Sequence, residues 1–294
     1  MISNKLGMMV GDNYEDELRK LKKSGFDYFS FCGGFSDGML SRRTEKELYK
    51  IREKVKNSKV KLFSVHLLYP IFYPLEDSVE QAVKRNKKLI HQASILGTKL
   101  VNAHLCMTPD LKEIPKKIGY KEFTYRSIQA IKELCQFAGQ YDITLSLENQ
   151  GWMPMPWRWR QKKISFIASI TYLRELIGQV GESNLGICLD TGHANLCGIH
   201  IREAILEAGN FLINTHLNDN FGFSDLHLPP GIGTINWPEV IAALDKISYP
   251  NPMIFEAGIK IGRPPVPFED VIVLIRENWK TFVRVYKSII QDEI

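Results

Sequence analysis

The chain has no CxxC cysteine pair, no long apolar run, no glycine-rich dinucleotide loop and no low-complexity stretch. Each absence excludes something. Its five cysteines, Cys32, Cys106, Cys135, Cys188 and Cys197, are odd in number and scattered. That pattern predicts reduced thiols packed in a core, not a disulfide framework. It therefore predicts a reducing compartment. The N-terminus lacks the apolar centre of a signal peptide. No apolar run approaches the roughly 20 residues that span a bilayer. The expectation is a cytoplasmic protein without membrane contact. No GxGxxG follows the first apolar run, which argues against a dinucleotide fold. The net charge of +5 is mild and selects no partner by itself.

What is present is an alternation. Eight short apolar runs recur at residues 5–10, 27–32, 60–66, 99–104, 143–148, 185–190, 211–216 and 252–256. Most are nearly continuous in Val, Ile, Leu, Phe and Met, as strands buried on both faces of a parallel sheet are. Segments of helical period lie between them. Residues 79–96 place Val79, Ala82, Val83, Leu89, Ile90, Ala93 and Leu96 on one stripe, and Gly97 is a stop signal. Residues 123–138 and 268–289 read the same way. Eight strand-then-helix units with right-handed crossovers predict an α/β fold, a (β/α)8 TIM barrel, over residues 1–294 as one domain. The segment 151–163, rich in Trp, Pro and basic residues, predicts an extended loop over the barrel mouth.

The polar residues fall at one kind of position. Six of the eight runs close on a metal-ligand type: His66, His104, Glu148, Asp190, His216 and Glu256. In a parallel barrel every strand C-terminus lies at the same face, where barrel active sites form. The six side chains should converge there. Buried carboxylates need a compensating partner, and a cation supplies one. The expected core site is Glu148, Asp190, His216 and Glu256. Asp190 and His193 share one motif, His216 and Asp219 a second, and Asp225 and His227 a third. His91 and His200 fall in predicted helices and read as structural or exposed. Hard acids with imidazoles suit Mn²⁺, Mg²⁺, Co²⁺ or Zn²⁺.

The segments SVHLLYP (64–70), VNAHL (101–105), LSLENQ (145–150), LGICLDTGHAN (185–195), NTHLNDN (214–220), DLHLPPGIGTINW (225–237) and MIFEAG (253–258) resemble the xylose-isomerase-like TIM-barrel superfamily. It includes sugar isomerases and epimerases and the endonuclease IV family. Resemblance to the isomerases and epimerases implies one divalent ion on Glu148, Asp190, His216 and Glu256. It implies that Glu148 and Glu256 flank the substrate as the catalytic pair, and that His193 contacts its oxygens. The reaction would be proton transfer α to a carbonyl, with the metal polarising that carbonyl. Where those epimerases carry an arginine six residues after His216, this chain has Gly222.

Resemblance to endonuclease IV implies up to three zinc ions on nine ligands. His66, His104, His193, Asp225 and His227 would join the core four, and phosphodiester hydrolysis beside an abasic site would follow. That family's basic DNA-wedge loop is replaced here by residues 33–38, which hold no basic residue. The preferred expectation is a metal-dependent isomerase or epimerase acting on a small sugar or sugar derivative, with a related lyase on the same chemistry. The alternatives are the nuclease, with nucleic acid as partner, and a barrel that binds metal or ligand without catalysis. Trp152, Trp157 and Arg158 in the 151–163 loop are candidate substrate contacts, or else a lid, a subunit contact that fits a homo-oligomer, or simple packing. Lys260 and Arg263 are candidate anion contacts, or else surface charge.

Overall fold

The computed structural model describes residues 5–32, 42–67, 70–73, 76–106, 114, 116–151, 166–258 and 266–292. Trp152, Trp157 and Arg158, with nearly all of the 151–163 loop, lie outside these residues, as do residues 33–38, Lys260 and Arg263.

Eight parallel strands form the centre: β1 (Leu6–Val10), β2 (Tyr28–Cys32), β3 (Lys61–His66), β4 (Leu100–His104), β5 (Thr144–Glu148), β6 (Leu185–Asp190), β7 (Leu212–His216) and β8 (Met253–Phe255). They run β7-β6-β5-β4-β3-β2-β1-β8 by ladder pairing. The ring closes beyond the last ladder. Leu217 N–H donates to the Ile254 carbonyl at 2.8 Å, and Glu256 N–H to the Leu217 carbonyl at 3.2 Å. β1 and β6 are buried at every residue. One face of each strand looks into the barrel and the other at the helices, so an apolar run is what such a strand requires.

The helices are α1 (Tyr14–Lys23), α2 (Glu45–Asn57), α3 (Val79–Leu96), α4 (Tyr120–Gly139), α5 (Ile170–Val180), α6 (Thr191–Leu196), α7 (Ile201–Ala208), α8 (Trp237–Lys246) and α9 (Phe268–Asp292). α3 begins in a capping box between Ser78 and Gln81 and ends on Gly97 at φ 87°, the left-handed stop that glycine permits. No helix among the described residues is long and apolar enough to cross a membrane.

The strands match the eight apolar runs to within a residue at either end. Two expectations shift. Glu256 lies one residue past β8 and is fixed by the barrel-closing bond to Leu217. His200 precedes α7 as its N-cap residue instead of lying in a helix. It is exposed, near Glu239. His91 is in α3, hydrogen-bonded to Tyr141 Oη and Glu45. None of the five cysteines forms a disulfide, and four of them are buried.

Candidate metal centre

Strand register sets the site. The β4–β5 ladder places His104 beside Glu148, and the β6–β7 ladder places Asp190 beside His216. Closure between β7 and β8 brings Glu256 next to them. Ligand-type atoms of Glu148, Asp190, His216 and Glu256 all lie within 4.8 Å of one another. Glu148, Asp190 and His216 are at most 1 % exposed. Three carboxylates and one imidazole thus share a nearly dry space, which is unfavourable without a compensating positive charge.

His216 shows the need most directly. Its Nδ1 is 3.0 Å from Glu148 Oε2 and 2.8 Å from Glu256 Oε2. Both ring nitrogens are buried and make no well-formed hydrogen bond. A buried ring nitrogen between two carboxylate oxygens calls for positive charge there, which a proton on the ring or a bound cation would supply.

Three more imidazoles carry the same message through their tautomers. A main-chain carbonyl can only accept. His66 Nδ1 is 2.8 Å from the Leu67 carbonyl, His193 Nδ1 is 2.9 Å from the Asn149 carbonyl and His227 Nδ1 is 3.1 Å from the Glu256 carbonyl. Each Nδ1 is therefore the N–H. In the neutral ring Nε2 is then a bare lone pair, and in each case it faces a carboxylate. His66 Nε2 lies 3.1 Å from Glu148 Oε2, His193 Nε2 3.4 Å from Asp225 Oδ2, and His227 Nε2 3.2 Å from Asp225 Oδ2. Two lone pairs at that distance repel unless a proton or a metal ion lies between them.

The charges respond accordingly. Burial would lower the His193, His216 and His227 rings, but the adjoining carboxylates, and at His216 first Cys188, overcome it. His216 and His193 are raised well above the ordinary imidazole value, and His227 goes to about 9. His66 is also raised: its burial is outweighed by the bond to Glu148. Burial pushes Asp190 up to about 6. Burial would raise Glu256 too, but the His216 charge takes it down to about 2. Glu148 is likewise held low by His216 against its burial. His104 differs, because burial takes it down to about 4 and it stays neutral. Its ring centroid is 4.9 Å from that of His66 and 5.9 Å from that of His193, and its Nδ1 has no hydrogen bond.

The structure therefore brings all nine described candidates to one mouth. Two further groupings overlap or adjoin the first: His66 with Glu148 and His216, and His193 with Asp225 and His227. His104 belongs to no grouping among the described residues. His227 adopts φ 47°, a left-handed conformation that a side chain makes costly. It is held there by Gly258 N–H donating to its carbonyl at 2.7 Å and by the Asp219–Leu228 backbone pair next to it.

A supporting layer escaped the sequence reading. Asn218 Nδ2 donates to Asp190 Oδ2 at 2.7 Å, and His193 N–H to Asp190 Oδ1 at 2.6 Å. The second bond makes Asp190 the N-cap of α6, so one carboxylate orients the helix that carries His193. Asn149 Oδ1 accepts the Asp190 N–H at 2.7 Å. Asn102 donates its amide to Glu148 Oε2. The available signal was period two: Ser64, Asn102, Ser146, Cys188 and Asn214 each stand two residues before a strand-end ligand. Alternation puts them on the same inward face.

Comparison with known proteins agrees with this architecture. Residues 18–276 match the family described as xylose isomerase-like TIM barrel. An uncharacterised protein of Methanocaldococcus jannaschii, MJ1311, is 27% identical over 251 residues, 82% of this chain and 78% of that protein. A D-psicose 3-epimerase of Enterocloster bolteae is 26% identical over 156 residues, 48% of this chain and 46% of that protein. The structure of IolI with a bound zinc atom superposes with a TM-score of 0.72 at 20% identity, covering 95% of this chain and 98% of that one. Other relatives and structural neighbours are sugar epimerases and isomerases. With the carboxylates and imidazoles at its strand ends, the closed ring and a match that runs through seven of the eight strands, the chain belongs to the xylose isomerase-like TIM barrel family.

Proposed function

We propose that the chain is a divalent-metal-dependent isomerase or epimerase that moves a proton α to a carbonyl on a small sugar or sugar derivative. One observation carries the reading: Glu148, Asp190, His216 and Glu256 converge within 4.8 Å with His216 unbonded between two carboxylates. The donor set of three carboxylates and one imidazole fits a hard or borderline cation, Mn²⁺, Co²⁺, Mg²⁺ or Zn²⁺. When bound, the cation would polarise the substrate carbonyl and so acidify the neighbouring C–H.

The protein groups divide the remaining work. Glu148 ends β5 and Glu256 lies one residue past β8, so the two reach the mouth from different positions in the ring. Both carboxyls are held ionised at neutral pH, so either can take a proton and the other return one. Epimerisation needs a base on each face of the substrate, and two glutamates from different positions in the ring would provide it. His193, fixed by its Nδ1–H, would meet substrate oxygens through Nε2, which lies 3.4 Å from Asp225 Oδ2. Gly222 offers no cation to an anionic substrate, which favours a neutral one. Cysteines without a disulfide fit a reducing cytoplasm.

The His193–Asp225–His227 grouping favours a second reading, a multinuclear zinc hydrolase of the endonuclease IV kind. Metal content and isotope exchange separate the two. One ion per chain, with solvent deuterium entering a ketose at the carbon beside its carbonyl, is expected. Exchange should vanish in Glu148→Gln and Glu256→Gln. Three zinc ions per chain with cleavage of an abasic-site duplex would replace the first reading by the second.

A further inference from the structure

Beneath the ligands the barrel interior is polar. Ser64, Asn102, Ser146 and Asn214 are completely buried there. Barrel interiors are ordinarily filled by branched apolar side chains, so this layer needs a purpose. One part of it forms a directed chain. Ser146 Oγ donates to Asn102 Oδ1 at 2.8 Å, and Asn102 Nδ2 donates to Glu148 Oε2.

We infer that Asn102 is a positioning residue that holds Glu148 to the metal by one oxygen only, leaving Oε1 free to act as the base. The inference rests on the metal-binding reading of the site. Under that reading Glu148 has two tasks, and its two oxygens must be told apart. Oε2 lies 3.0 Å from His216 Nδ1 and 3.1 Å from His66 Nε2, on the side of the other ligands. Oε1 faces His193 Nδ1 at 3.5 Å, whose proton is already given to the Asn149 carbonyl. A carboxylate that grips a cation with both oxygens has no free basic lone pair. The amide of Asn102 takes one lone pair of Oε2 and pins the rotation of the carboxylate.

Register makes the reach possible. Asn102 pairs with Ser146 and His104 with Glu148, so Asn102 meets Glu148 on the adjacent-strand diagonal. Glu148 can only accept, so the amide NH₂ group must face it. Ser146 Oγ, which also lies 3.3 Å from the Val101 carbonyl, then donates to the amide oxygen and braces that orientation.

Co²⁺ alone is the probe, because its visible spectrum reports coordination number and its binding is read without any substrate. In Asn102→Ala, Co²⁺ should bind about 10–100-fold more weakly, the usual cost of losing an outer-shell partner. The visible bands should also lose intensity as Glu148 turns to grip with both oxygens. Ser146→Ala, a milder change, should shift the spectrum the same way by less. The Asn102→Ala/Ser146→Ala pair should be no worse than Asn102→Ala, since the two act through one contact. Weaker Co²⁺ binding with unchanged spectra in both variants would mean a merely structural layer and would overturn the inference. So would unchanged affinity. Failure of wild-type protein to take up Co²⁺ would overturn the metal reading itself, and this inference with it.

Discussion

Loading the four-ligand site with a divalent cation should release protons, and the number released identifies the ligands. A metal-bound imidazole must be neutral. His216 in the metal-free fold is held protonated at neutral pH because Cys188, Glu148 and Glu256 raise its pKa well above the ordinary value against its burial. Loading therefore displaces its proton. Glu256, at about 2, and Glu148 contribute none at pH 7. His104, at about 4, is already neutral. Asp190, at about 6, adds roughly a tenth of a proton at pH 7 and about half of one at pH 6. About one proton per cation is expected at pH 7 and about one and a half at pH 6. The sign follows from the raised imidazole: as pH falls the proton competes better, so apparent affinity drops by about tenfold per unit.

The second grouping behaves differently. A cation at His193, Asp225 and His227 must displace two imidazole protons. At pH 7 removing the one on His227, whose pKa is about 9, costs about two pK units, roughly 2.7 kcal/mol or 100-fold in affinity. That site also offers one carboxylate where the first offers three. It should fill after the first and gain affinity about twice as steeply with pH. Titration calorimetry with Mn²⁺ at pH 6, 7 and 8, in buffers of different ionisation enthalpy, gives the proton count directly. No proton release at pH 7, or an affinity flat across this range, would show that His216 is not a ligand.

Other perturbations follow from the same geometry. Metal-free protein should lose stability as pH rises from about 6.5 to about 9, because the raised His227 stabilises the fold only while protonated. The loss should reach up to about 3 kcal/mol, read as a falling Tm, and saturating Mn²⁺ should remove most of it. In Gly192→Ala the new Cβ would lie 1.9 Å from Asn218 Oδ1. The displaced amide would release Asp190, weakening Mn²⁺ binding about 10–100-fold with a smaller effect on Tm; unchanged binding would count against Asn218 as a support. Asp219→Ala should cost roughly 3 kcal/mol or more in a denaturant titration, since it strips a buried acceptor from four N–H groups. Those are Asn220 and Ile235 on Oδ1, and Gly231 and the Trp237 indole on Oδ2.

The candidate ligands at the strand ends were legible because the two levels of the sequence agree there. An apolar run has no use for Glu148 or His216 at its end, so their presence is a signal. The layer beneath was harder to read. Asn102 and Ser146 interrupt apolar runs as single small polar residues. Such residues are common in strands, and only the register between β4 and β5 shows that they meet. α6 was not legible at all. Thr191–Leu196 is six residues long and includes Gly192, and it forms because the Asp190 carboxylate caps it.

Asp219 and Glu148 show why a carboxylate at a strand end is not enough. Both are buried beyond an apolar run, three residues apart from a histidine in one case and on the adjoining strand in the other. Asp219 is saturated: its two oxygens accept four N–H groups, three of them from residues 231–237. These donors cannot leave, so no oxygen remains for a cation, and the group serves to fold the 229–237 loop and through Leu228 to hold His227. Glu148 meets the opposite company. Apart from the Asn102 amide and the fixed Nδ1–H of His193, its neighbours are imidazole nitrogens of His66 and His216, which are proton- or metal-exchangeable groups. The loop path that brings residues 231–237 onto Asp219 is a tertiary fact with no local signature. The distinction between a structural and a ligating acid is therefore written in the partners, and only the closed barrel assembles them.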